Sequence, residues 1–227
     1  MLKKIFNWLG REFVALSAEA RPGASAKDEL QELLARFGEE LSSLGLSLDH
    51  TVRTRLWGRD RESRNQGGEE RVRILSGKAR SASSSYIAPV HFDSDACVAL
   101  DLLAMRPSRS GAEKTLREYE PQTIPLRYLV YDSVVVLSGV TVVLPTLGEQ
   151  LDNIIPRIAA SLAEPGASWE QVAKVSFYLH RSQNPEYLED LFRERVPVFI
   201  PEMEYSFVDG YSLEGKLVEV EVTARLP

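Results

Sequence analysis

The chain has 227 residues, of which 44% are apolar and 26% charged, and it carries a net charge of -6. This composition is that of an ordinary globular protein, and the acidic balance without a long basic run argues against nucleic acid as a partner. The lone Cys97 excludes an intrachain disulfide and favours a reducing, cytoplasmic setting. Apolar runs are too short for a membrane span, and polar residues interrupt the apolar start, so neither an anchor nor a signal peptide is expected.

The first half of the chain begins with a predicted hairpin. Residues 4–9 and 12–18 form its strands, and Gly10-Arg11 is the expected turn. A helix is predicted over residues 25–44, and a strand over residues 47–57. In that strand apolar residues alternate with arginines, which predicts a half-buried strand with one solvated face.

The next stretch, residues 60–76, is highly charged and contains Gly67-Gly68, so only residues 69–75 are predicted to be helical. Two strands, residues 80–88 and 96–105, close the half and are expected to pair with each other. Residues 108–125 are rich in Ser, Pro and charge, which indicates a linker.

The second half repeats this order of elements. Two strands within residues 127–140 precede a helix over residues 146–162 and a strand over residues 168–178. Asn184-Pro185 begins a second helix. Residues 203–208 and 216–226 are the closing strands, with Glu219 on the face opposite the valines and therefore assigned to a solvated face.

An internal duplication accounts for this repetition. Ser25 and Thr146 start the long helices and Gly45 and Gly166 end them, at one offset of 121 positions. The apolar stripes keep the same offset: Leu30, Leu33, Leu34, Phe37 and Leu41 against Leu151, Ile154, Ile155, Ile158 and Leu162. A fixed period of this kind predicts repeated structural units. We expect a first domain at 1–107, a linker at 108–125 and a second domain at 126–227.

The predicted fold class is α+β, with a β-β-α-β-α-β-β order in each domain and the helices on one face of each sheet. The other sheet face also carries apolar positions. Another sheet is the simplest cover for that face, so we expect a homo-oligomer.

Short motifs then give a family resemblance. The second half carries Ser138-Gly139, Gly166-Ala167-Ser168 and Leu217-Val218-Glu219-Val220-Glu221, and the first half carries Ser17, Gly45-Leu46-Ser47 and Ala79-Arg80-Ser81. In this order and spacing the chain resembles two tandem copies of the YjgF/Rid family, the reactive-intermediate deaminases also described as endoribonuclease L-PSP-like.

The resemblance implies a chorismate-mutase-like fold, assembled as a homotrimer with clefts between subunits. It implies hydrolysis of 2-imino or 2-enamino acids to 2-keto acids and ammonia, with no metal and no organic cofactor. Arg80 would hold the substrate carboxylate through its planar guanidinium, and Glu219 would act on the attacking water. Further substrate contacts would come from Ser81, Ser17, Ser138 and Gly139.

The implied site is incomplete in each copy. Ala99 stands where the first copy should have the glutamate, Met203 stands where the second should have the arginine, and the family's early tyrosine has no clear match. A composite cleft with Arg80 and Glu219 is therefore one interpretation. A small-anion-binding or scaffold protein with degenerate sites is another, a chorismate-processing enzyme is a third, and RNA cleavage fits the acidic chain less well.

The HFDSD segment places His91, Asp93 and Asp95 at alternate positions, which raises a metal site as an alternative. Alternate positions in a loop are a weak ligand pattern. A polar turn between two strands is predicted instead.

Overall fold

The computed structural model describes residues 1–109 and 111–227, and it divides into two compact units, Met1–Lys114 and Thr115–Pro227. The division falls inside the 108–125 segment, so the domain boundaries inferred from the sequence remain a proposal. In the described parts of the chain, no helix combines the length and apolarity needed to cross a bilayer.

The first unit is a five-stranded sheet with two helices. Its elements are β1 (Leu2–Trp8), β2 (Arg11–Glu19), α1 (Ala26–Ser43), β3 (Thr51–Gly58), α2 (Arg61–Ile74), β4 (Ala82–Ile87) and β5 (Val98–Arg106). The strand order is β1-β2-β5-β3-β4, and every pair is antiparallel except β3 and β4.

The second unit repeats this arrangement and adds an edge strand. Its elements are β6 (Thr115–Arg117), β7 (Tyr128–Tyr131), β8 (Val134–Leu137), β9 (Val140–Thr141), α3 (Leu147–Ala163), β10 (Val172–His180), α4 (Pro185–Arg195), β11 (Glu202–Val208) and β12 (Val218–Arg225). The order β11-β10-β12-β8-β7-β6 contains the order of the first unit, with β9 also pairing β12. The duplication and the α+β class are confirmed.

The predicted helix ends are also confirmed. The Ser25 hydroxyl accepts the N–H of Asp28 at 3.2 Å, and the Thr146 hydroxyl accepts that of Glu149 at 3.3 Å. Gly45 and Gly166 follow the helices with φ of 69° and 93°, which favours glycine. Every residue of the two predicted stripes is buried, and each stripe packs on one face of its own sheet.

One buried polar side chain on each long helix ties down the segment before the last strand. Glu29 accepts the N–H groups of Cys97 and Val98 at 2.6 and 3.1 Å. At the same position of the second copy, the Gln150 side chain accepts the N–H of Leu217 at 2.8 Å and donates to two backbone carbonyls. Both side chains are almost fully buried, so each satisfies backbone groups that water does not reach.

The prediction that residues 60–76 are mostly not helical was wrong, because α2 is one helix of 14 residues. The carboxylate of Asp60 caps it by accepting the N–H of Ser63 at 2.8 Å. A Cβ on Gly67 would lie 2.9 Å from Val98 Cγ1 and 3.1 Å from Leu56 Cδ2. Gly67 therefore lets the helix approach the sheet closely, and this packing overrides its low helix propensity.

Two details of strand pairing also differ from the predictions. Strand β4 pairs in parallel with β3, and β5 lies between β2 and β3, so the closing strands do not pair with each other. The helical crossover α2 makes that parallel pair possible. The first turn is Leu9-Gly10 rather than Gly10-Arg11, because Trp8 pairs with Arg11 and both turn residues have positive φ, as a two-residue type I′ hairpin requires.

The sheet face turned away from the helices is not solvated as the alternation predicted. Arg53 and Trp57 of β3 are 5% and 7% exposed, and Glu219 and Glu221 of β12 are 7% and 1% exposed. Because a buried carboxylate without a partner is costly, this face of the sheet must supply polar partners to the two glutamates.

Candidate functional site

The centre of the candidate site is the contact between Glu219 and Gly139 in the second unit. A Cβ built on Gly139 would lie 1.9 Å from Glu219 Oε1 and 2.5 Å from its Cδ. The carboxylate therefore occupies the space that any other residue at position 139 would fill. Ser138, predicted as a substrate contact together with Gly139, is buried next to it.

The backbone brings these residues together through a local irregularity. Val136 of β8 pairs with Thr223, and Val140 of β9 pairs with Val220, so the β8–β9 strand holds one residue more than β12 does between these pairs. The extra residue falls at Ser138-Gly139. An insertion of this kind bends the strand locally, and such bulges often reposition side chains at functional sites.

Two further side chains lie close to Glu219, and sequence reasoning missed both. Arg157 of α3 donates to the carbonyl of Thr141, the residue paired with Glu219 across β9 and β12, at 3.1 Å. Burial raises the pKa of the Tyr119 phenol; Arg157 and Arg127 oppose that shift, whereas Glu219 adds to it. Tyr119 is therefore near both Arg157 and Glu219. It lies in the segment assigned to the linker, and its one signal was an aromatic residue ahead of the hairpin.

The first unit carries a different polar cluster at the equivalent place. The Ser17 hydroxyl donates to Asp101 Oδ1 at 2.6 Å, and Trp57 Nε1 donates to Asp101 Oδ2 at 2.8 Å. The ring of His91 stacks on Trp57 with centroids 4.6 Å apart. By strand register Asp101 corresponds to Glu221, so this copy keeps a carboxylate on the same sheet face, two residues beyond Ala99.

Arg80 and Ser81 lie just before β4 in the first unit. Arg80 is half-buried and Ser81 is 6% exposed. The backbone carbonyl of Arg80 accepts Lys114 Nζ at 2.8 Å, and that of Thr51 accepts it at 2.9 Å. Burial lowers the pKa of Lys114 to about 8, with Asp49 opposing that shift. Arg80 and Glu219 belong to different units, and neither unit alone contains both.

The HFDSD segment forms a polar turn. The carboxylate of Glu19 accepts the N–H groups of Asp93 and Ser94 at 2.7 and 3.1 Å. These hydrogen bonds lower the pKa of Glu19, and the bond from the Asp93 N–H has the largest effect. Among residues 1–109 and 111–227, no group of three or more His, Cys, Asp or Glu side chains is arranged to hold a metal ion.

Comparison with known proteins finds similarity of structure only. No family model and no curated protein matches the sequence. A chorismatase crystal structure aligns with 97% of this chain and 79% of its own, at 14% identity and a TM-score of 0.67. The YjgF-family protein Rv2704 of Mycobacterium tuberculosis covers 50% of this chain and 100% of its own, at 19% identity and a TM-score of 0.46. The Rid protein YyfA of Yersinia pestis covers 50% of this chain and 99% of its own, at 19% identity and 0.45.

The chain is thus an α+β protein in which one small fold occurs twice. The fold of the whole chain is similar to that of the chorismatase, and the YjgF/Rid structures, to which the motifs gave a resemblance, each align with half of the chain.

Proposed function

We propose that the protein hydrolyses small reactive 2-imino or 2-enamino acids to 2-keto acids and ammonia. The observation that carries this proposal is the buried Glu219 carboxylate held against Gly139, where the resemblance expects the water-activating glutamate. In this proposal Arg80 and Ser81 hold the substrate carboxylate. Ser17, Ser138 and Gly139 supply further contacts to the substrate.

The reaction needs only water and proton transfers. Water attacks the imine carbon while Glu219 accepts its proton, a new C–O bond forms, and the C=N electron pair moves to nitrogen, which is protonated. The resulting carbinolamine re-forms a C=O bond as the C–N bond breaks, and the hydroxyl proton leaves with ammonia. An enamine is first protonated at carbon to give the imine. A positioned general base typically contributes about 10²- to 10⁴-fold to such a step.

Iminopyruvate generated in situ by an amino-acid oxidase and trapped by semicarbazide provides the test. Wild-type protein should lower semicarbazone formation relative to buffer. We expect Glu219→Gln to slow imine loss by about 100-fold or more. Glu221→Gln is the matched control, because it removes a charge from the same strand and the same face and should keep the wild-type rate.

Arg80 is tested in the same assay. Arg80→Ala should raise the substrate concentration needed for half-maximal rate, and Arg80→Lys should restore part of the loss, because lysine keeps the charge without the planar fork. Wild type equal to buffer, or Arg80→Ala equal to wild type, contradicts the proposal. Thermal stabilisation by 2-keto acids without turnover would instead indicate the non-catalytic anion-binding alternative.

Chorismate processing is the second candidate function. Its support is the alignment of a chorismatase over 97% of this chain, a match of both units in one structure. Incubation with chorismate and separation of the products by chromatography tests it. Consumption of chorismate by wild type but not by Glu219→Gln would favour this candidate over imine hydrolysis.

We also propose that the chain forms a homo-oligomer, a trimer by the family resemblance. In such an oligomer, subunit contacts would cover large apolar side chains that lie at the surface. They are Leu2, Val90, Ile124, Phe199 and Leu213, each at least 60% exposed. Light scattering that shows a stable monomer at low micromolar concentration would contradict it.

A further inference from the structure

A cleft in the second unit is lined by three arginines from separate parts of the chain. Arg117 comes from β6, Arg127 lies just before β7, and Arg157 comes from α3. Tyr119 and Ser161 also line the cleft, which has a volume of about 280 Å³. This volume is just below the usual range for ligand pockets and suits a molecule of few heavy atoms.

Two of the arginines already share one carboxylate. Arg117 Nε lies 2.7 Å from Glu164 Oε1, and Arg127 Nη1 lies 2.8 Å from Glu164 Oε2. Arg127 Nε also donates to the hydroxyl of Ser161 at 2.8 Å. These contacts hold in place the two guanidinium groups, which both line the cleft.

Arg157 differs from both. Its contacts within the described chain are the carbonyl of Thr141 at 3.1 Å, the side-chain oxygen of Asn153 at 3.5 Å, and the phenol of Tyr119. No carboxylate of residues 1–109 or 111–227 lies within ion-pair distance of Arg157. Two carboxylates, those of Glu118 and Glu120, also line the cleft; the Glu120 side chain is 84% exposed and lies 3.9 Å from Arg117.

We propose that this cleft binds a small oxyanion, either the carboxylate of a short organic acid or inorganic phosphate, with Arg157 as its principal contact. A guanidinium offers two parallel N–H donors to such an anion. Tyr119 supplies a hydroxyl donor beside it, and burial, which raises its pKa, keeps that hydroxyl protonated at neutral pH. Binding of an anion there does not require the proposed hydrolysis, and no sequence motif assigned any of these residues.

Isothermal titration of the full chain carrying Arg80→Ala, which lacks the substrate-carboxylate contact proposed above, with sodium pyruvate, and separately with inorganic phosphate at matched ionic strength, tests this cleft. This protein is the parent for the variants below. We expect saturable binding of at least one of the two anions. Arg157→Gln should weaken it about tenfold or more, the loss expected of a charged hydrogen bond. Tyr119→Phe should weaken it several-fold. The two titrations show which oxyanion the cleft prefers.

Arg193→Gln is the matched control. Arg193 is an exposed helical arginine of the same unit that pairs with Glu189 at 2.6 Å, away from the cleft residues. The control should bind as the Arg80→Ala parent does. Equal weakening in both variants, unchanged binding in Arg157→Gln, or no saturable binding by the Arg80→Ala parent would overturn the proposal. Circular dichroism confirms that each variant is folded.

Discussion

Adding one methyl group at Gly139 should displace the Glu219 carboxylate. In Gly139→Ala the new Cβ would lie 1.9 Å from Glu219 Oε1, 2.5 Å from Cδ and 2.8 Å from Cγ. Non-bonded heavy atoms prefer separations of about 3.5 Å, so the carboxylate must move by roughly 1.5 Å. Because Glu219 is 7% exposed, that movement takes place inside a packed environment.

A shift of this size has a defined expected effect on the proposed reaction. Misplacing a reacting group by about 1 Å can cost about 100-fold in rate, which corresponds to about 2.7 kcal/mol in the barrier. Overpacking should also lower the free energy of unfolding by about 1 to 3 kcal/mol. We therefore expect kcat/KM for iminopyruvate to fall about 100-fold in a protein that remains folded.

The semicarbazone assay and urea denaturation measure the two effects. Gly148→Ala is the control, because its Cβ would meet nothing closer than Arg195 Nη2 at 3.8 Å. In a Glu219→Gln background the Gly139 substitution should cost little further activity, since two changes that act on one group are not additive. Gly139→Ala with near wild-type activity, or an equal loss in both backgrounds, refutes the positioning role.

Three further predictions concern stability, each measured by urea denaturation. In α2, Gly67→Ala should lower the free energy of unfolding, because the new Cβ would lie 2.9 Å from Val98 Cγ1. Gly68→Ala, whose Cβ would meet nothing closer than 3.9 Å, should raise it by up to about 1 kcal/mol. A change of the same sign in both variants would contradict this. Burial lowers the pKa of Lys114 from 10.5 to about 8 in the folded protein. Between these two pH values the unfolded chain binds more protons than the folded one, so the contribution of Lys114 to the free energy of unfolding rises with pH. The rise, up to about 3 kcal/mol, should be absent in Lys114→Met, and identical pH dependence in both proteins would count against it. Gln150→Leu should lower the free energy of unfolding by about 2 to 4 kcal/mol, because it leaves buried backbone groups without partners. The control is an exposed glutamine, Gln122→Leu, and a smaller loss for Gln150→Leu than for this control would be inconsistent with that role.

The elements that sequence reasoning located correctly are those whose signals are local. Ser25, Thr146, Gly45 and Gly166 act within one turn of a helix end, and the apolar stripes lie on single helices. Helix α2 was missed because the reason for Gly67 is its contact with β3 and β5, which no local propensity contains. The pairing of β4 with β3 was missed for the same reason, since it joins residues separated by a helix.

The site roles named from the motifs stay predictions, and the structure shows where those residues lie. The motifs identified Ser17, Ser138 and Glu219, and the structure gives each of the three a buried or hydrogen-bonded place. Asp101 was not predicted, because it lies two residues beyond Ala99, the position that corresponds to Glu219. Arg157 was not found either, because on the sequence it is one polar residue on the outer side of a helix. Its proximity to the strand that bears Glu219 exists only in three dimensions.

The pair Glu29 and Gln150 limits how freely the two copies can exchange parts. The glutamate, as an acceptor, receives backbone N–H groups at Gly23, Cys97 and Val98, whereas the glutamine amide also donates to carbonyls at Leu144 and Gly215. The loops have therefore diverged together with the helix residue that each one meets. A chimaera that grafts a loop from one copy onto the other would need to transplant this helix residue as well, or it would place like groups face to face.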